Sequence, residues 1–220
     1  MPRHALVPED RAWCDAASRW VRAVEQAYVD AATAGVGDVT LPRWIAASDV
    51  PLLGAAAAGA IASRFLAVSA PRSIGLIGDA MTNALSLAAH RVWFKPTDVR
   101  CHGDVVDGGR AVSIDEALAA DIVCIHEATV VFPHQIRRGT HVNALALVPV
   151  ERMPRTERVT RVNAVTVDPE LAAVVVREDT DLPAMAAGFR DGRQLDEITL
   201  FVLDSAAVAT GAMFKFPPPY

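Results

Sequence analysis

The sequence predicts an α/β protein, a parallel sheet with flanking helices plus a reduced helical accessory part formed by the two ends of the chain. Three observations carry that expectation. Between about residues 72 and 143, short apolar runs alternate with helical patterns, in units of the length expected for strand-helix-strand crossovers. Ser73-Ile74-Gly75-Leu76-Ile77-Gly78 is a continuous apolar run closed by glycine, the pattern of a strand buried on both faces. The stretches 9–34 and 52–67 repeat their apolar residues at helical rather than alternating spacing.

The bulk properties narrow the class. A chain of 220 residues, 52% hydrophobic and 21% charged, is long and apolar enough to bury a sizeable core. The net charge is −5 with Lys and Arg scattered, so no basic stripe exists to neutralise phosphates, which argues against nucleic acid as a partner. The longest apolar stretch, 50–66, is broken by Gly54, Gly59, Ser63 and Arg64, and Met1-Pro2-Arg3-His4 carries no apolar signal region. A cytoplasmic protein with no membrane contact is expected. Cys14, Cys101 and Cys124 are odd in number and have no C-x-x-C spacing, so buried apolar roles are favoured over disulfides or a thiolate zinc site.

The elements follow in order. Over 9–34, Trp13, Ala17, Trp20, Val24, Ala27, Tyr28 and Ala31 recur at steps of three and four; acidic residues open this helix and Gly35 follows it. A linker with Pro42 and Pro51 leads to a second helix over 52–67, whose alanines permit close approach of another backbone. After the apolar run at 73–78 come a helix over 80–92, a strand over 98–102, and a helix over 113–120 capped by Ser113 with Glu116 in the capping-box position. Further strands are expected at 121–125, 141–148 and 161–167. A helical stretch over 171–178, a short element at 182–185, a strand over 195–202 and an alanine-rich helix ending near Phe214 complete the pattern, with Pro217-Pro218-Pro219-Tyr220 as an extended tail. The arrangement is Rossmann-like, and three parts are expected: a helical accessory region 1–67, a Rossmann-like domain 68–168, and a C-terminal segment 169–220 that packs back on the accessory region. Ligands should sit at the carboxyl edge of such a sheet.

Several segments together resemble the ornithine cyclodeaminase and mu-crystallin family. They are the alanine-rich run 55–67, Ile74-Gly75-Leu76-Ile77-Gly78, Ala120-Asp121-Ile122-Val123, Gly139-Thr140-His141-Val142-Asn143-Ala144 and Asp196-Glu197-Ile198-Thr199-Leu200-Phe201. The resemblance implies NAD(P) on the Rossmann domain, chemistry on small amino or imino acids, and a homodimer. It also marks losses. Against the G-x-G-x-x-G/A fingerprint the chain has Gly78-Asp79-Ala80-Met81-Thr82-Asn83, so the glycine that lies against the pyrophosphate is Ala80 and the packing position is the polar Asn83. Gly54-Ala55 aligns with the family's carboxylate-anchoring Arg-Thr pair, and Val148 lies near the place of its catalytic aspartate. Between Trp44 and Val50 there is no room for the substrate-binding sheet that also builds the family's dimer.

The expected site therefore comprises Gly78, Ala80, Met81, Asp104 and Asn143 as cofactor-binding positions with weakened NAD(P) affinity, Asp104 standing where a ribose-binding acid would follow the second strand. His126 and Glu127, at the end of the third main strand, are the catalytic candidates, because a histidine beside a carboxylate suits acid-base work. They share one site only if the strand has already ended, since neighbouring strand residues face opposite ways. His102, His126, His134 and His141 match no metal-ligand spacing, and no metal is expected. Two functions stay open: an enzyme of small amino-acid or imino-acid metabolism, and a non-catalytic pseudoenzyme that binds a partner, or a second copy, through its Trp-rich N-terminal helix.

Overall fold

Ser73–Gly78 forms β1, buried along its whole length, and the rest of the sheet is built outward from it. The computed structural model describes residues 8–35, 50–127, 136–145, 159–162, 182–189, 192–193 and 198–203. The other strands are β2 (Asp98–Gly103), β3 (Arg110–Ala111), β4 (Ile122–Ile125), β5 (His141–Ala144), β6 (Val159–Val162) and β7 (Ile198–Val202), and the sheet order is β3-β2-β1-β4-β5-β7-β6. Every pairing is parallel. Strand order reverses between β1 and β4, which opens a crevice beyond their carboxyl ends.

Side chains alternate across the sheet, so each strand feeds two cores. On one face Ile74, Leu76 and Cys124 join α2 (Ala17–Ala34), α3 (Val50–Leu66) and α4 (Ala80–His90); on the other Ile77, Val123 and Ile125 pack with Ala117 and Leu118 of α5 (Ile114–Leu118). Gly75 explains the close seat of α5: a Cβ there would stand 2.1 Å from the Ala117 carbonyl oxygen. Ser113 caps α5 in a full capping box with Glu116, as its spacing predicts. Asp121 ties the amino ends of β1 and β4 together by accepting from the amides of Arg72 and Ser73 and from the Ser73 hydroxyl.

The first helix is not continuous. Residues Pro8–Asp15 form α1, and the chain bends at Ala16 before α2 begins. The indole Nε1 of Trp20 donates to the Trp13 carbonyl at 2.9 Å, occupying the acceptor that the next turn of an unbroken helix would use. Trp20 and Tyr28 are fully buried inside this chain, each contributing roughly 2 to 3 kcal/mol of apolar burial, and Trp13 is half-buried against the same core. The tryptophan stripe thus covers the protein's own core rather than presenting an exposed face. Gly35 ends α2 in the left-handed conformation.

Other boundaries shift. The strand expected over 161–167 pairs from Val159, set by its register with β7 (Val159 opposite Ile198), and β5 is described as a strand only to Ala144. The two-residue edge strand β3 has no sequence signal at that length. Leu182–Ala186, the short element, is a helix (α6) that packs on α2 and α3, while β7 enters the sheet between β5 and β6. The expected helices over 171–178 and up to Phe214, the tail 217–220, and Trp44, His134 and Val148 lie outside the described residues.

Candidate functional site

The crevice between β1 and β4 is floored by Gly78. A Cβ on Gly78 would come within 2.8 Å of the His126 Cβ and 2.9 Å of the Thr82 hydroxyl, so this residue must be glycine for the neighbouring side chains to close around it. Gly103 at the end of β2 has φ +95°, and a Cβ there would meet the Gly78 carbonyl oxygen at 2.5 Å. Two bare strand ends therefore touch, which brings Asp104 against the first turn of α4.

That turn is already occupied. The Asp104 carboxylate accepts from the Ala80 amide at 3.2 Å, and Asp79, the N-cap of α4, accepts from the Thr82 amide at 2.8 Å. Asn83, expected to disturb helix-strand packing, is fully buried and its amide nitrogen bridges the carbonyls of Gly78 (2.9 Å) and Asp104 (3.0 Å). Its Oδ1 is a buried acceptor without a partner among the described residues. The positive end of α4 thus meets two carboxylates and an orphan acceptor, an environment that suits a donor or a cation better than a phosphate. Met81 is half-buried against the core, beside Ala80.

His126 follows directly on β4. Its backbone amide continues the ladder to Ile77 O at 2.8 Å, and its Nε2 lies 2.7 Å from the Ser86 hydroxyl on α4. Burial pushes its pKa down to about 4, against a smaller opposing effect of Asp79, so the imidazole is neutral at neutral pH. Glu127 is exposed. The strand has ended before the pair, but its members occupy different surroundings: His126 is bound to α4, and among the described residues no hydrogen bond or ion pair brings the Glu127 carboxylate to the same place.

Asn143 lies elsewhere. It belongs to a fully buried polar chain that links α3, α4, β5 and β7. His90 Nδ1 lies 2.7 Å from the Ser86 carbonyl and must donate to it; its Nε2, if neutral, accepts from Ser63 Oγ at 2.9 Å. Ser63 in turn accepts from Asn143 Nδ2 at 2.9 Å, so Asn143 Oδ1 faces His141 Nε2 (3.0 Å) and takes its proton. The Thr199 hydroxyl donates to Leu66 O at 2.7 Å and lies 2.8 Å from His141 Nδ1. Burial lowers the pKa values of His90 and His141 to about 4 and about 3, and pushes the neighbouring Cys124 thiol up to about 12. The network ties α3 and α4 to the sheet; no sequence spacing announces the Ser63–His90 or Asn143–Ser63 contacts, which are long-range pairings between elements.

Gly78, Ala80, Asp104 and His126 thus meet at one crevice, whereas Asn143 and Glu127 do not join them. Gly54 and Ala55, aligned with an anchoring pair, are buried within α3. His102 points to the Val112 carbonyl at 3.3 Å, and among the described residues no group of three or more His, Cys, Asp or Glu could hold a metal. No described helix is long and apolar enough to cross a membrane.

No protein-family model matches the sequence, and no curated protein is similar to it. Solved structures do share its fold. An archaeal alanine dehydrogenase, a dimer with bound NAD, is 21% identical over 76% of this chain and 64% of its own, with a TM-score of 0.55. The Δ1-pyrroline-2-carboxylate reductase of Thermococcus litoralis, in complex with NADH and L-proline, is 21% identical over 73% of this chain and 63% of its own, with a TM-score of 0.54. A probable ornithine cyclodeaminase of Bordetella pertussis Tohama I is 18% identical over 74% of this chain and 67% of its own, with a TM-score of 0.54. Likeness at this identity establishes the shared fold, a parallel Rossmann-like sheet with flanking helices. The chain spans less than two thirds of the length of the first two.

Proposed function

We propose that this protein is a divergent relative of the ornithine cyclodeaminase and mu-crystallin family, serving small amino-acid or imino-acid metabolism in the cytoplasm, with an eroded dinucleotide site. The observation that carries the reading is the occupied first turn of α4: Asp104 on Ala80 N and Asp79 on Thr82 N. A pyrophosphate seated there would displace one carboxylate and lie beside another, with like-charge repulsion in place of the usual attraction. The residues present therefore do not fit NAD(P) well.

Supporting the family reading are the shared fold, the relatives described with NAD or NADH, and the matching segments on α3, β1, β5 and β7. The accessory helices α1 to α3 are read as the remnant of a substrate and dimerisation domain, and a homodimer is part of the proposal, as in the dimeric alanine dehydrogenase. Calorimetric titration with NAD(H) and NADP(H) tests it. Weak, saturable binding in the millimolar range is expected; tight micromolar binding by the unmodified protein would overturn the eroded site, and no heat with either nucleotide would remove the oxidoreductase reading.

A second reading, a non-catalytic pseudoenzyme, is favoured by one observation: His126, the acid-base candidate, is held by Ser86 inside the chain while Glu127 stands apart in solvent. Turnover on imino-acid substrates that survives both His126→Ala and Glu127→Ala would reject that pair as catalytic.

A further inference from the structure

At the opposite, amino edge of the sheet, the loops before β1 and after α4 form an open surface pocket of about 450 Å³ whose walls include Arg72, Trp93, Phe94, Lys95 and Thr97. The volume is in the range of small-molecule sites. It lies at the far end of β1 from Gly78 and shares no residue with the crevice described above.

The walls are chemically matched. Trp93 is backed by the Arg64 guanidinium, 5.4 Å from its ring centroid, and Arg64 is itself paired with Glu25. Phe94 stacks on the buried His90 ring with centroids 6.4 Å apart. Both aromatics are half-buried and pack against the core. Arg72 is fixed through its backbone, its amide donating to Asp121 and its carbonyl accepting from Thr97 and Asp98, while its side chain is exposed. The nearby Asp121 carboxylate is satisfied by Ser73 and by Arg137. Among the described residues, neither Arg72 nor Lys95 pairs with a carboxylate, in a chain whose net charge is −5.

We propose that this pocket binds a small anion, a carboxylate or phosphate, carried on a flat apolar body. The ring of the ligand lies along Trp93 and Phe94, and its anionic group meets the Arg72 guanidinium and the Lys95 ammonium. A merely solvated pair of surface cations would attract anions without regard to the apolar body and would not discriminate shape.

Calorimetry or saturation-transfer NMR on the full chain tests this, with benzoate and phenyl phosphate as probes and benzamide as the neutral control of the same shape. The expected result is saturable binding of at least one anion, with benzamide weaker by about tenfold or more. Arg72→Gln with Lys95→Gln should lose at least that factor, and Trp93→Leu should weaken both probes while leaving the weak binding of acetate, which lacks the ring, unchanged. Because both cations are exposed, the double variant keeps its fold, checked by an unchanged melting curve; Lys95→Gln alone gives the same direction with a smaller effect. Equal affinity for benzamide, no saturable binding of either anion at millimolar concentration, or full retention by the double variant would overturn the proposal. Which of the two anions binds tighter identifies the carboxylate or phosphate source.

Discussion

Asp104 and Ala80 are joined by a hydrogen bond of 3.2 Å in which the carboxylate accepts from the first amide of α4, the group that an incoming phosphate would otherwise meet. Gly78 and Gly103 make this bond geometrically available, because the two strand ends touch without Cβ atoms between them. The turn is therefore filled from within by the chain's own charge.

Removing that charge should reopen the turn. Asp79→Ser keeps an N-cap side chain and removes one carboxylate, and Asp104→Ser frees the Ala80 amide. Each should tighten NADH roughly three- to tenfold, the size of a charge effect at a helix terminus. Titration of the two single variants and the double variant checks it; affinity unchanged in all three would show that the carboxylates are not what opposes the phosphate.

Acid should destabilise the protein through its buried histidines. His90 and His126 have folded-state pKa values near 4 and His141 near 3, all below the ordinary value of 6.5. Between those limits the unfolded chain binds more protons than the folded one, so stability is full above about pH 6.5 and falls as pH drops towards 4 and below. One such histidine contributes roughly 3 kcal/mol to the loss. Urea midpoints measured from pH 8 to pH 4 should therefore hold level down to about pH 6.5 and fall below it; a flat profile from pH 6.5 to pH 4 would contradict the burial of these rings.

Much of this arrangement could be read from residue patterns, and the reasons for the exceptions are physical. Buried parallel strands advertise themselves as apolar runs, which is why β1 and β4 fall where expected, whereas β2 shows as an alternation of buried Val99 and Cys101 with half-buried Asp98, Arg100 and His102. The break at Ala16 does not, because it depends on the Trp20 indole taking the Trp13 carbonyl from the next turn's backbone amide rather than on a helix-breaking residue. The departure of the Gly78 turn from the glycine fingerprint is visible in the sequence, but the role of Asp104 is not: spacing places it after β2 without saying whether its carboxylate turns to a ribose or to Ala80. Asn143 was legible only as part of a motif, and its partners Ser63 and His141 come from three-dimensional packing.

Gly75 should tolerate no side chain. Its missing Cβ leaves room for the Ala117 carbonyl, and Gly75→Ala would force β1 and α5 apart by more than an ångström. A loss of at least about 3 kcal/mol is expected, read as a lowered urea midpoint. Gly188→Ala makes a useful contrast, since nothing lies within 4 Å of its Cβ position and only its φ of +77° opposes the change. That variant should lose about 1 kcal/mol.

Replacing Asn143 separates a structural role from a cofactor role at that position. Asn143→Ala leaves the His141 Nε2 proton unpaired and removes the donor to Ser63, so a loss of roughly 2 to 4 kcal/mol is expected from two unsatisfied buried groups. Asn143→Asp is nearly isosteric but can only accept. Ser63 must then turn its single proton towards the carboxylate, which obliges His90 to donate from both nitrogens and hence to carry charge. The aspartate variant should accordingly raise the His90 pKa, which histidine NMR titration reads directly, whereas the alanine variant should not. If neither variant changes stability or histidine titration while nucleotide affinity falls, Asn143 belongs to the ligand site and the buried chain of hydrogen bonds does not hold α3 to the sheet.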